Sequence, residues 1–410
     1  MRLGAKLRIA ALVSVFTVFW NPHAVSTEPG RLLEKSHTEV LQASDVEQIV
    51  AELFPTLPVP AARYSVDCYL IRYRSSYPDG SAAPITAQLF IPRDVEKEQA
   101  PLYVFAPGTT GLIDACRPSR EHIAGIHWGL YRSHVLAFAG KGFVTLLPDY
   151  TGFGDPERLQ PVFHARSEAT MMLDGVRAVR NAIEQRKAAP QVTEGAFLAG
   201  FSQGGHAAFA AADLQSTYAP DVQLAGIIGY GPTTNMHTLF REFPVVVPMI
   251  AHVFAEIYGA DSFDPANILQ DRWLTDLEHH VTRQCIGAMQ SYYPWNAREL
   301  LRDEFAEALF DNRLSEAYPK IHEILTRNST GISGHGVPAL ILQGAEDIVI
   351  SPRSQEEFVD ELRDSGSEVR YLFFEDARHD TRQIGFRDVL EWIEEQSAKV
   401  PGRGRIHLQR

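Results

Sequence analysis

The run Gly200-Phe201-Ser202-Gln203-Gly204 carries the strongest chemical signal in the chain. It reads G-x-S-x-G, with an apolar stretch at 196–199 before it and an alanine-rich stretch at 206–212 after it, the context of a strand, a tight turn and a helix. A serine on such a turn sits in a strained backbone conformation with its hydroxyl presented at the edge of a sheet. Gly200 and Gly204 remove side chains that would collide with the adjoining strand and helix, and the helix N-terminus favours developing negative charge. A serine hydroxyl is a weak nucleophile until a base takes its proton, and the base needs an acid to orient it. In a sheet with this turn the acid and then the base follow the serine along the chain. Gly344-Ala345-Glu346-Asp347 follows the apolar run 338–343, and Glu375-Asp376-Ala377-Arg378-His379 follows the run 369–374. Asp347 is the expected acid and His379 the expected base.

A tetrahedral oxyanion needs two preorganised donors. The backbone N–H of Gln203 is one. The other is expected from the loop Ala106-Pro107-Gly108-Thr109-Thr110-Gly111, where Thr109 is the better placed and Thr110 the second choice. The plain alternative for that loop is an ordinary glycine turn. Among rivals, Glu346 adjoins Asp347 but its side chain leaves the turn in another direction. Asp376 and Asp380 lie too close to His379 in sequence to orient its ring from across a site. His206, four residues after Ser202, falls one helical turn inward and reads as packing. His279 and His280 read as exposed helix positions.

These residues need a scaffold, and the pattern supplies one. A short helix is expected at 45–53, then a hairpin of strands at 69–73 and 85–91 around Pro78-Asp79-Gly80. Buried strands follow at 102–106, 143–147, 196–200, 224–228, 339–342 and 371–374, with helices such as 167–185 and 203–215 between them. That alternation predicts an α/β fold: a mostly parallel central sheet flanked by helices. Between 228 and 339 the alternation stops, and helices at 246–258, 271–289, 297–310 and 315–327 predict a helical cap or lid insertion. The division is then a first core part at 27–230, a cap at 231–335, a second core part at 336–400 and a tail at 401–410. In the cap, Val246, Ile250 and Phe254 lie on an apolar helix stripe. They either line an acyl tunnel above Ser202 or pack into the core.

Of 410 residues, 38 are Lys or Arg and 51 Asp or Glu, a formal charge of −13 that disfavours nucleic acid as a partner. Residues 1–26 read as a signal peptide: Arg2, Lys6 and Arg8 precede an apolar run to Trp20, and Ala24 and Ser26 occupy small-residue cleavage positions. Twelve such residues are few for a membrane span, so a secreted or periplasmic protein is expected. His322-Glu323 lacks the second histidine of a zinc helix, and no Cys/His cluster occurs, so neither metal nor cofactor is expected. Three cysteines, Cys68, Cys116 and Cys285, allow at most one intramolecular disulfide. Asn328-Ser329-Thr330 is a glycosylation sequon.

With Pro107–Gly111, Cys116-Arg117-Pro118-Ser119, Pro148-Asp149-Tyr150-Thr151-Gly152-Phe153-Gly154, His164-Ala165-Arg166-Ser167 and the segment from Gly200 to Ala208, the chain resembles the secretory lipases of the α/β-hydrolase superfamily, found in fungi and bacteria. The resemblance runs from about Ala62 to the last helix. It implies the Ser202, Asp347, His379 triad, a helical lid between two late strands, and hydrolysis of small-molecule or lipid esters through an acyl-enzyme, with transient contact at a lipid interface. It also points to a Cys116–Cys285 disulfide that tethers cap to core, leaving Cys68 free. Two departures stand out: Pro107 occupies a position often held by histidine, and the second disulfide of fungal members has no cysteines here. Peptide hydrolysis or acyl transfer would use the same residues, and a binding protein would be expected to have lost one of them.

Overall fold

A computed structural model describes residues 28–95, 99–124, 128–185 and 190–399. The expected signal peptide and the tail lie outside them. The apolar runs become strands of one nine-stranded sheet: β1 (Leu32–Leu41), β2 (Val66–Ser76), β3 (Ala82–Pro92), β4 (Gln99–Ala106), β5 (Val144–Pro148), β6 (Gln191–Phe201), β7 (Gln223–Tyr230), β8 (Ala339–Gly344) and β9 (Val369–Phe374). Their spatial order is β1-β2-β3-β5-β4-β6-β7-β8-β9. The first three strands and the β3–β5 pair are antiparallel, and every pair from β5 to β9 is parallel. The parallel strands therefore end at one edge, where open sheets of this kind bind ligands.

The parallel strands are apolar on both sides because helices cover both faces. On one face lie the helices Ala165–Glu184 and Gln203–Tyr218, contributing Met172, Val176, Ala207 and Phe209 to the core. On the other, Ala43–Ala51, Tyr131–Gly140 and Phe386–Lys399 contribute Val46, Phe138 and Trp392. The expected helix at 45–53 thus begins two residues earlier. Strand β1 was not expected: Leu-Leu-Glu-Lys-Ser-His-Thr-Glu-Val-Leu shows no alternation of apolar and polar residues, and it is a largely exposed edge that exists by pairing with β2.

The segment between β7 and β8 is helical, as expected, but more finely divided. The helix expected at 271–289 is three, Asp271–Leu274, Leu277–Val281 and Ile286–Tyr292. Asp276 takes a positive φ of 56°, and Cys285 is extended because it pairs with Gly111. The cap has its own apolar core, built around helix Val247–Tyr258 and including Phe240, Met249, Phe305 and Leu325. Among the described residues no single helix is long and apolar enough to cross a membrane.

Two cap helices, Met236–Glu242 and Pro319–Arg327, meet at His237 and His322, with Nε2 of the first 3.1 Å from Nδ1 of the second. Burial, then the neighbouring His322 and Arg241, push the His237 pKa from 6.5 down to about 4. A depressed histidine pKa means that the folded state resists the proton that the unfolded chain accepts. The contribution is present above pH 6.5 and is lost as pH falls toward 4. The melting temperature is expected to drop between pH 7 and 4.5, and less steeply in His237→Gln. Equal slopes in the two proteins would assign the acid sensitivity elsewhere.

Candidate active site

Strand β6 ends at Phe201 and the next helix begins at Gln203, leaving Ser202 alone at the turn with φ 54° and ψ −116°. Such a conformation costs a non-glycine residue about 1–3 kcal/mol and persists only where the surroundings enforce it. The enforcement is steric and hydrogen-bonded. A Cβ on Gly204 would stand 1.9 Å from the carbonyl oxygen of Ala106, and one on Gly200 equally close to that of Gly204. The Ser202 N–H donates to the Tyr230 carbonyl at the end of β7 (3.0 Å), while the Ser202 carbonyl accepts from Gly205 and His206.

Asp347 follows β8. Its side chain is fully buried and nearly every lone pair is engaged: Oδ1 accepts from the N–H groups of Val349 (2.8 Å) and Ile350 (3.1 Å), and Oδ2 from Gln343 Nε2 (3.2 Å). Oδ2 also faces His379 Nδ1 at 2.8 Å, so the carboxylate accepts the Nδ1 proton and leaves Nε2 as the basic nitrogen. The His379 ring rests against Phe201, centroids 4.9 Å apart. The rival Glu346 is exposed and faces Arg378 at 3.5 Å. Asp380 is taken by Arg382, whose Nε and Nη2 donate to its two oxygens at 2.9 and 2.6 Å. Burial raises the Asp380 pKa, but the Arg382 guanidinium outweighs it and holds the carboxyl below its usual range.

Ser202 and His379 line one cavity of ≈ 440 Å³ with Thr109, Trp128, Phe243, Ile286 and Arg382 among its walls. The structure thus brings Ser202, Asp347, His379 and Thr109 to one place, with Gln203 at the first helical position, where an N–H has no acceptor within its own helix. Thr110 is fully buried, and its carbonyl accepts from Ile286 (2.8 Å), a bond that docks the cap on this loop. Val246, Ile250 and Phe254 are not among the cavity walls. All three are wholly buried in the cap core, so the stripe follows the packing alternative of its two readings. Among the cavity walls that sequence did not single out, Phe243, Ile286, Gly287, Gln290 and Val349 come from loops and short helices without periodicity. A larger open concavity of ≈ 760 Å³ beside the β2–β3 turn holds none of the site residues. Size alone does not locate chemistry.

Cys116 and Cys285 are disulfide-bonded, with Cα atoms 5.5 Å apart, and Cys68 is a buried free thiol. The bond lies beside a single-residue bridge between Gly111 and Cys285, so the cap is fastened to the loop that carries Thr109. Asn328 is buried, not presented: Oδ1 accepts from the Ala165 N–H (3.0 Å) and Nδ2 donates to the Tyr258 hydroxyl (2.8 Å).

The sheet order, the turn after β6 and the helical insertion before β8 define an α/β-hydrolase, related to lipases and esterases. Residues 122–383 match the family described as "Serine aminopeptidase, S33", and the chain belongs to that family. It is 23% identical over 384 residues, 88% of this chain and 79% of the other, to a Mycobacterium tuberculosis protein named "Probable inactive lipase". Among solved structures, the rice cell wall degrading esterase LipA from Xanthomonas oryzae superposes with a TM-score of 0.71 at 18% identity, covering 90% of this chain and 97% of that one. Candida antarctica lipase A in its closed state gives 0.62 at 16% identity, covering 92% and 84%.

Proposed function

We propose that the protein is an exported serine carboxylic-ester hydrolase. The observation that carries the reading is the joint placement of Ser202 and His379 in one cavity, with Asp347 hydrogen-bonded to His379 behind them. In this mechanism His379 Nε2 takes the Ser202 proton as Oγ attacks the ester carbonyl, and Asp347 stabilises the imidazolium. The N–H groups of Gln203 and Thr109 bind the oxyanion. His379 then protonates the departing alcohol, and later removes a proton from water as the acyl-enzyme is hydrolysed. Export rests on the sequence of residues 1–26 and is compatible with the disulfide.

The family name raises aminopeptidase activity as a second reading. Binding a free α-ammonium calls for an unpaired carboxylate. Among the described walls of the cavity the carboxylate is Asp380, and Arg382 occupies both its oxygens. Esters are therefore favoured over substrates that carry a free α-ammonium. The test is labelling of Ser202 by a fluorophosphonate, together with rates on p-nitrophenyl esters and aminoacyl p-nitroanilides. Faster turnover of the anilides, or no label, would reject the esterase reading.

Because Ile250 is buried in the cap core, Ile250→Asp places an unpaired charge among apolar groups, a change large enough to unfold the cap. Acetate and octanoate hydrolysis are expected to fall together with the melting temperature. A variant that melts like the parent and loses octanoate hydrolysis alone would restore the acyl tunnel.

A further inference from the structure

Next to the turn, and not among the cavity walls, lies a chain of buried polar groups that the proposed mechanism does not use. Gln203, Glu168 and His206 are each at most 2% exposed. Gln203 Nε2 donates to Glu168 Oε1 at 2.7 Å, and the same oxygen accepts the Phe163 N–H at 2.8 Å. His206 Nδ1 lies 2.6 Å from Glu168 Oε2, and His206 Nε2 lies 2.6 Å from the Asn328 carbonyl, which can only accept. From Asn328 the chain continues through Nδ2 to the Tyr258 hydroxyl on the cap helix Val247–Tyr258. Phe163, whose N–H enters this network, holds a positive φ of 56° and stacks edge-on against His206.

Placing an acid and an imidazole in a dry core is no route to stability, since a hydrophobic replacement of similar volume often does as well. A geometric role explains their presence better. The first residue of a helix usually turns its side chain to solvent. Here it is pulled inward, which fixes the peptide whose N–H must point at the oxyanion, where small misplacements weaken transition-state stabilisation. We propose that Glu168 and His206 are positioning residues that hold the Gln203 N–H in its oxyanion-binding direction and tie it to the cap through Asn328. The proposal rests on the serine hydrolase reading, in which Gln203 supplies that N–H.

Glu168→Gln and Glu168→Ala separate hydrogen bonding from bulk. The glutamine can still accept from Phe163 and Gln203 and can donate to His206 Nδ1, so its kcat on p-nitrophenyl butyrate is expected within about threefold of the parent. The alanine variant is expected to lose about 30-fold or more in kcat with KM within about twofold, the signature of an interaction made in the transition state. Amide exchange over residues 202–206 is expected to rise about tenfold in Glu168→Ala and to stay unchanged in Glu168→Gln. Parental kcat and exchange in Glu168→Ala, or equal losses in both variants, would overturn the proposal. If Glu168→Ala does not fold, Gln203→Ala cuts the same tether from its other end. It should lose about tenfold in kcat at constant KM, and a parental kcat overturns the proposal as well. If the parent neither hydrolyses esters nor labels at Ser202, the hydrolase reading fails on its own, and amide exchange still decides whether Glu168 positions the turn.

Discussion

Replacing Ser202 by alanine is expected to abolish ester hydrolysis, with a loss on the order of 10⁶ in kcat, while the fold is kept. In the proposed mechanism the side chain is chemical, and the backbone strain at φ 54° is imposed by the steric fit of Gly200 and Gly204, which alanine at 202 leaves in place. His379→Ala should lose nearly as much, and the double variant little more, because nucleophile and base act as a unit. The measurements are initial rates on p-nitrophenyl butyrate and near-ultraviolet circular dichroism of each variant. Rates within about tenfold of the parent for a correctly folded Ser202→Ala would place the nucleophile elsewhere.

Loss of the disulfide is the second large effect. Cys116 and Cys285 are separated by 169 residues. Chain entropy alone gives about 5 kcal/mol for a loop of that size, an upper figure against measured losses of about 2–5 kcal/mol. Domain stabilities run to only about 5–15 kcal/mol, so a substantial part of the total is at stake. The Cys116→Ser, Cys285→Ser variant is expected to unfold at markedly lower urea than the oxidised parent. Activity should suffer before global unfolding, because the same junction fastens Ile286, a cavity wall, to the Thr110 carbonyl. Cys68 cannot substitute: it is buried, and burial pushes its thiol pKa up to about 12. A peptide map linking Cys68 to either partner, or identical urea curves, would contradict this account.

Much of this was legible in the sequence, for reasons that differ by element. The parallel strands are buried on both faces, so each is an apolar run ended by a glycine turn, and the site residues sit directly after those runs. That Ser202, Asp347 and His379 would meet at one edge of the sheet was therefore readable from position along the chain. Strand β1 was not, because its residues are mostly exposed and its existence depends on partners 25 to 41 residues away. The cap showed its helicity but not its breaks: two come from Asp276 and from the pairing of Cys285 with Gly111, and others fall at 301–302 and at 318. The stripe containing Val246, Ile250 and Phe254 illustrates a further limit. Periodicity tells that one helix face is apolar, but a cap with its own core and a tunnel for an alkyl chain demand the same pattern. Glu168 and His206 lie 38 residues apart and match no motif together, so only the fold shows them to be neighbours.

The burial of Asn328 bears on where such a chain can be produced. The Asn-Ser-Thr triplet is a substrate for oligosaccharide transfer in a eukaryotic secretory pathway, where the sugar is added to the chain as it emerges, before folding. A glycan on that amide nitrogen would have to occupy the buried space beside Tyr258 and Ile324 and would end one of the two bonds that the nitrogen donates, to the Tyr258 hydroxyl or to the Ile324 carbonyl. In a yeast or insect-cell host, folding and glycosylation therefore compete for one side chain. Translocation into a bacterial periplasm, which supplies an oxidant for Cys116 and Cys285 without general sequon glycosylation, avoids that competition.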